Sequence, residues 1–290
     1  MKIKSTIVSI SLGVGVLAHG QTLWDMSLVG VSNSTAVGQG IYALDSDSSN
    51  TGAPTSAAYI TTFSGMDRNG QSQTLNYSAT NNNSAQYGHL QSYSHLELQN
   101  TYYNAANPAY ELPDGSINPA GSPDNWVSLG FATFTDVLHF GGAMQAGYRA
   151  RYHFEYDGNN TGDGALADLS VNVDSLNDSF FALASGPNHG IWTTQSREII
   201  GLSQSISAQF STQANLNAYD VPDGQNYTIT SDFIVNLAGI EVLDANDNPV
   251  SGWTITSDSG TIYPVPEPCS AIGLGLGAVA SLRRKRRMGS

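Results

Sequence analysis

The densest run of oxygen donors in the chain lies between Asp157 and Asp168, which reads Asp-Gly-Asn-Asn-Thr-Gly-Asp-Gly-Ala-Leu-Ala-Asp. Twelve-residue calcium loops carry donors at their first, third, fifth and twelfth positions and glycine at the sixth. Asp157, Asn159, Thr161 and Asp168 occupy those four positions, Gly162 the sixth, and Asp163 adds a further carboxylate. Thr161 replaces the commoner Asp or Asn, and Asp168 replaces a longer Glu. Calcium needs several hard oxygens, which an Asn/Asp/Gly loop can supply. The same residues also make a solvated turn, so calcium and a plain hairpin loop both stand as readings. A second oxygen-rich set is Tyr102, Tyr103 and Tyr110 among Asn100, Asn104 and Asn107. Their rings can stack on sugar faces while the amides bond hydroxyls. Equally, they can seal an edge of the fold with their hydroxyls left wet. Asp45, Asp47 and Asn50 read as an exposed loop cluster.

Nucleophilic and acid–base chemistry is less well specified. His89 and His95 share parity with Glu97, and His139 and His153 fall in strand-like stretches. No HExxH, GxSxG, phosphate-loop or CxxC pattern occurs. Two dozen acids permit a glycosidase-type carboxylate pair, but no spacing singles one out. The lone cysteine, Cys269, lies near the C-terminus, so the preceding chain has no thiol for catalysis or zinc. All 24 acidic residues fall between Asp25 and Glu267, against Arg68, Arg149, Arg151 and Arg197, a net of −20 over that span. Such a surface repels nucleic acid, and DNA or RNA is not an expected partner. It is compatible with divalent cations and neutral glycans.

The elements that must hold these residues are strands. Period-two alternation dominates, broken by Asn, Asp, Gly, Ser and Pro, and no long segment has helical periodicity. The clearest case is Tyr148, Ala150, Tyr152, Phe154 and Tyr156 alternating with Arg149, Arg151, His153 and Glu155. Ahead of it, Phe131, Thr133, Thr135 and Val137 alternate with Ala132, Phe134, Asp136 and Leu138, before a Gly141-Gly142 turn. Asp45 to Pro54 and Asn81 to Ser84 are expected as breaks, and residues 100–125 as a long connection. Asp244 to Asn248 is expected as a turn, although its acidic-amide run also resembles the calcium-bound linker of cadherin junctions. About a dozen strands without helices predict an all-β, antiparallel two-sheet sandwich of jelly-roll type, in one domain over residues 21–263.

Both ends of the chain differ from this middle. Lys2 and Lys4 precede an apolar Ile7–Leu17 and a small-residue Ala18-His19-Gly20, the layout of a secretory signal peptide over residues 1–20. At the other end, residues 264–290 run from stiff Val265-Pro266-Glu267-Pro268 through an uncharged stretch ending at Leu282 to Arg283-Arg284-Lys285-Arg286-Arg287. The uncharged stretch reads as a short hydrophobic helix, below the roughly 20 residues of a stable span.

This order of motif, apolar run and basic cluster resembles the PEP-CTERM sorting signal of exported bacterial proteins. Cys269, where a small residue is commoner, and the trailing Met288-Gly289-Ser290 depart from that pattern. The resemblance implies export, transient engagement of the inner membrane by the tail, and processing by an exosortase after signal peptidase has removed the leader. It also implies display at the cell surface or in an extracellular matrix, often beside exopolysaccharide. The expected function is therefore a non-enzymatic structural or adhesive one. The alternatives are a calcium-assisted carbohydrate-binding module and a secreted hydrolase.

Overall fold

The computed structural model describes residues 21–33, 40–66, 72–100, 125–142, 145–174, 176–182, 185–217 and 226–265. These form fourteen strands: β1 (Thr22–Asn33), β2 (Gly40–Ser49), β3 (Thr55–Met66), β4 (Ser72–Gln86), β5 (His89–Asn100), β6 (Asn125–Gly142) and β7 (Arg149–Thr161). There follow β8 (Ala165–Val173), β9 (Leu176–Ala182), β10 (Gly186–Thr193), β11 (Arg197–Glu198), β12 (Ser203–Asn217), β13 (Asn226–Leu243) and β14 (Trp253–Ser257). No helix among the described residues is long and apolar enough to cross a membrane. The expected leader and C-terminal helix lie outside the described residues.

All pairing is antiparallel, in two sheets. Sheet A has the order β2-β1-β6-β12-β8-β9, with β14 extending the β1 position along β6. Sheet B has the order β10-β7-β13-β5-β4-β3, with β11 extending the β10 position along β7. The expectation of an antiparallel two-sheet sandwich is met. The alternation within β7 and β8 sets one side chain in the core for each one outside.

Two stretches expected as breaks are wholly or partly strand: Asn81 to Ser84 continues β4, and Asp45 to Ser49 ends β2, while residues 50–54 form the expected break before β3. Both were polar enough to read as loops. Their backbone is nevertheless paired, because a strand needs only its inward parity to suit the interior.

Besides a small group of Val127, Leu129 and Phe131 on the opposite parity of β6 from Ser128 and Gly130, two apolar clusters occur among the described residues. One gathers Leu90, Phe134, Tyr152, Phe154, Phe210, Phe233 and Ile240. The other gathers Val29, Tyr77, Leu96, Leu98, Leu216 and Ile229. Burying each such side chain contributes about 1.5–3 kcal/mol.

A polar layer separates them. In β5 the inward residues run Leu90, Ser92, Ser94, Leu96, and in β4 Ala85, Asn83, Asn81, Ala79. Across the sandwich, Ser27, Ser128, Gly130 and Thr212 stand at the same level on β1, β6 and β12. The Asn83 amide donates to Met26 O at 2.8 Å, to Ser27 Oγ at 2.7 Å and to Asn81 Oδ1. Asn81 donates to Ser94 Oγ at 2.6 Å, while Ser92 bonds Asn83 Oδ1 and meets Thr212 Oγ1 at 2.6 Å. A Cβ on Gly130 would overlap Asn83 Oδ1 and stand 2.6 Å from Ser92 Oγ, so glycine makes room for the network.

Candidate functional site

The calcium-type donors are not brought together. Asp157, Asn159 and Thr161 lie on β7, on the exposed face of sheet B. Asp163 is in the turn, and Asp168 is on β8, paired with Ser211 and Phe181 in sheet A. The stretch is a strand, a three-residue crossover between sheets, and a strand, so it is not a loop wrapped round one ion. Gly162 and Gly164 serve the crossover: both have positive φ, 81° and 110°. A Cβ on Gly162 would meet Thr228 O at 2.6 Å. No group of three or more His, Cys, Asp or Glu side chains able to hold a metal occurs among the described residues.

The other acidic clusters have structural partners. Asp244 accepts from Asn246 N at 2.8 Å and Asn248 N at 2.9 Å, and Asn248 is the main reason its pKa is lowered. This is the expected β-turn. Asp45 and Asp47 accept from Ala58 N at 2.8 Å and Ser56 N at 3.2 Å. These carboxylates on the edge of sheet A therefore cap the outer N–H groups of β3, the edge of sheet B. On the opposite side of the sandwich, Asp178 on β9 bonds Gln195 N at 3.0 Å and Arg197 at 3.1 Å. Both open sides are stitched by carboxylates.

Two carboxyls are out of the ordinary. Asp25 on β1 is fully buried, and neither oxygen has a partner in hydrogen-bonding geometry. Burial pushes its pKa up to about 6, opposed by the Ala85 backbone and reinforced by Asp47. Burial likewise pushes Asp168 up to about 6, and its Oδ1 has no partner. Asp25 points into the sandwich and Asp168 sits on the outer face of sheet A, so they are not a catalytic pair.

The histidines face ordinary polar neighbours. His89 pairs with Asn236 Oδ1 at 2.6 Å and His95 with Thr230 Oγ1 at 2.9 Å, both on the outer face of β5 as their parity predicts. His153 meets Thr193 Oγ1 at 2.9 Å and Glu241 at 3.4 Å; burial lowers its pKa despite that carboxylate.

The arrangement with most bearing on the tail is at the end of the body. Asp136, fully buried on β6, accepts from Ser259 N at 3.1 Å, Ser259 Oγ at 2.6 Å and Tyr263 OH at 2.7 Å. Asp258 N donates to Val137 O at 3.0 Å, and His139 meets Asp258 at 2.7 Å. Ile240 N donates to Pro264 O at 3.0 Å, where β13 has passed the end of β5. Tyr263 is 5% exposed, and burial, then Asp136, raises its phenol pKa. Val265 is already 41% exposed. Sequence reading passed over Asp136. The available signal was a carboxyl on the inward parity of Ala132, Phe134 and Leu138.

Tyr102, Tyr103 and Tyr110 lie outside the described residues, as do Pro266, Glu267, Pro268 and the basic cluster Arg283, Arg284, Lys285, Arg286 and Arg287. No protein family matches the chain, and no curated protein matches it. Among solved structures, an insecticidal delta-endotoxin from Bacillus thuringiensis, Cry8Ea1, aligns over 80% of this chain and 54% of its own at 10% identity, with a TM-score of 0.16. This chain thus spans about half the length of that toxin, and a likeness so slight supports no argument about fold or function.

Proposed function

We propose that the protein is an exported bacterial surface or matrix component with a structural or adhesive, non-enzymatic role, sorted through a PEP-CTERM tail. The observation that carries this reading is in the sequence. Val265-Pro266-Glu267-Pro268, an uncharged run to Leu282 and five basic residues follow in that order. The fold is compatible with it, because the last buried side chain among the described residues is Tyr263, two residues before the motif begins. On this reading the sandwich, jelly-roll-like in design, is cargo. Signal peptidase and an exosortase are its processing partners, the inner membrane holds it transiently, and exopolysaccharide is its surroundings. The division of the calcium-type donors between two sheets gives the calcium-assisted carbohydrate module no support.

Replacing Pro266-Glu267-Pro268 by three alanines in the producing cell tests the proposal. The expected result is an unprocessed precursor retained in the membrane fraction. Release of that variant at the normal rate and size would remove the basis for the tail assignment.

A further inference from the structure

The chain leaves the sandwich through a fastened strap. Among the described residues after Ser257 there is no further strand pairing, yet backbone and side chains remain engaged up to Pro264. Asp258 N and Pro264 O are bonded to β6 and β13, and Ser259 and Tyr263 are both held by Asp136. Within the strap, Gly260 N donates to Ser257 O at 3.1 Å, and Ser257 Oγ donates to Thr261 O at 2.9 Å. The Ile262 side chain is 92% exposed, but its neighbour Tyr263 is buried, with its ring against Gly88. Asp136 itself stands on β6, paired with Ile206 of β12 on one side and, on the other, in the gap between the β1 pairing that ends at Thr135 and the β14 pairing that starts at Leu138.

We propose that this Asp136 latch sets the upstream limit of C-terminal trimming. A protease must draw several residues into its cleft in an extended, unpaired state, so bonded backbone is cut only when it opens locally. Bonds from Ser257 to Tyr263 are therefore shielded in the folded protein, and the first bonds open to attack lie from Pro264 onward. Asp136 acts as a positioning residue, holding Ser259 and Tyr263 in place. The inference rests on the reading of the residues after Val265 as a removable tail, but its test does not use the sorting machinery.

The experiment is limited digestion of the purified full chain with a broad-specificity serine protease, with the C-terminus of the resistant product read by intact mass. The wild-type product is expected to end at Pro264 or beyond. A Ser259→Ala/Tyr263→Phe double variant keeps the Asp136 carboxyl and its bond from Val137 N, and loses two of the latch donors. Its product is expected to be trimmed back to about Ser257, at least about tenfold faster within the strap, with the rest of the body intact. Trimming of the wild type upstream of Tyr263 would overturn the proposal. So would an unchanged terminus and rate in the double variant, or its wholesale digestion. Asp136→Asn, measured in parallel, is expected to give an intermediate rate, since one oxygen still accepts; protection equal to wild type would remove the carboxyl from the latch.

Discussion

Asp25 and Asp136 show how much depends on what surrounds one carboxyl. Both occupy inward strand positions and both are fully buried. Asp136 accepts three hydrogen bonds from the strap, whereas Asp25 has no partner of good geometry. Burial favours the protonated acid and, outweighing the Ala85 backbone and the Ser49 hydroxyl, raises the pKa of Asp25 to about 6. A carboxyl whose folded pKa exceeds its unfolded value near 3.9 carries no penalty below about pH 4; the penalty grows to pH 6 and is full above it. Asp25→Asn should therefore stabilise the protein at pH 8, by roughly 1 kcal/mol, and leave it unchanged at pH 4. Water at the exposed Ser48 and Asn50 beside Asp25 screens part of the penalty. Thermal melts of both proteins at the two pH values check this; an equal gain at pH 4 would contradict it. At this scale the sequence was legible only in part. Alternation placed Asp136 on the same face as Phe134 and Leu138, but whether a buried carboxyl meets donors depends on Ser259, more than a hundred residues away.

Strand positions followed from alternation where the inward parity is apolar, as in β7 and β8. They did not where it is polar. Asn81 and Asn83 read as a break because their partners, Ser27, Ser92, Ser94 and Ser128, come from other strands, and a hydrogen-bonded core layer leaves no local trace. Such a layer ties the two sheets at one register, since any other pairing would bury unpaired amides. Gly130→Ala should cost about 2 kcal/mol or more, because its methyl has no room beside Asn83. Asn83→Ala should cost about 2–4 kcal/mol through orphaned partners. Together they should cost at least about 1 kcal/mol less than their sum, since removing the amide clears space for the methyl. Denaturant unfolding of the cycle reads this coupling, and strict additivity would contradict the packing account. The polar stretch at Asp45 was misread for a related reason. Its carboxylates serve the edge of the other sheet, where uncapped N–H groups invite pairing with a second chain. Asp45→Ala/Asp47→Ala should cost under about 1 kcal/mol, but speed hydrogen exchange at Ser56 and Ala58 and promote self-association at high concentration. Unchanged exchange at those two amides would rule out the capping role.

Over residues 21–263 the molecule is an acidic sandwich without cysteine, and its class followed from composition and period alone. Strands without helices and without helical periodicity admit few architectures, and the two antiparallel sheets agree with that. The candidate site was legible differently at each end of the argument. The calcium spacing between Asp157 and Asp168 was a match in one dimension; the crossover at Gly162–Gly164 sends its two halves to different sheets. The proposed sorting tail rests on a linear motif, Val265-Pro266-Glu267-Pro268 with the basic cluster beyond it, which is read from sequence without a fold. The body is compatible with that proposal, since Tyr263, the last buried side chain among the described residues, comes just before Val265. The most direct measurement is the intact mass of the protein recovered from the cell surface or medium of the producing cell. The account predicts a chain that begins at Gln21, keeps Tyr263 and lacks Arg283 to Arg287. A recovered chain that still carries those five basic residues would contradict it.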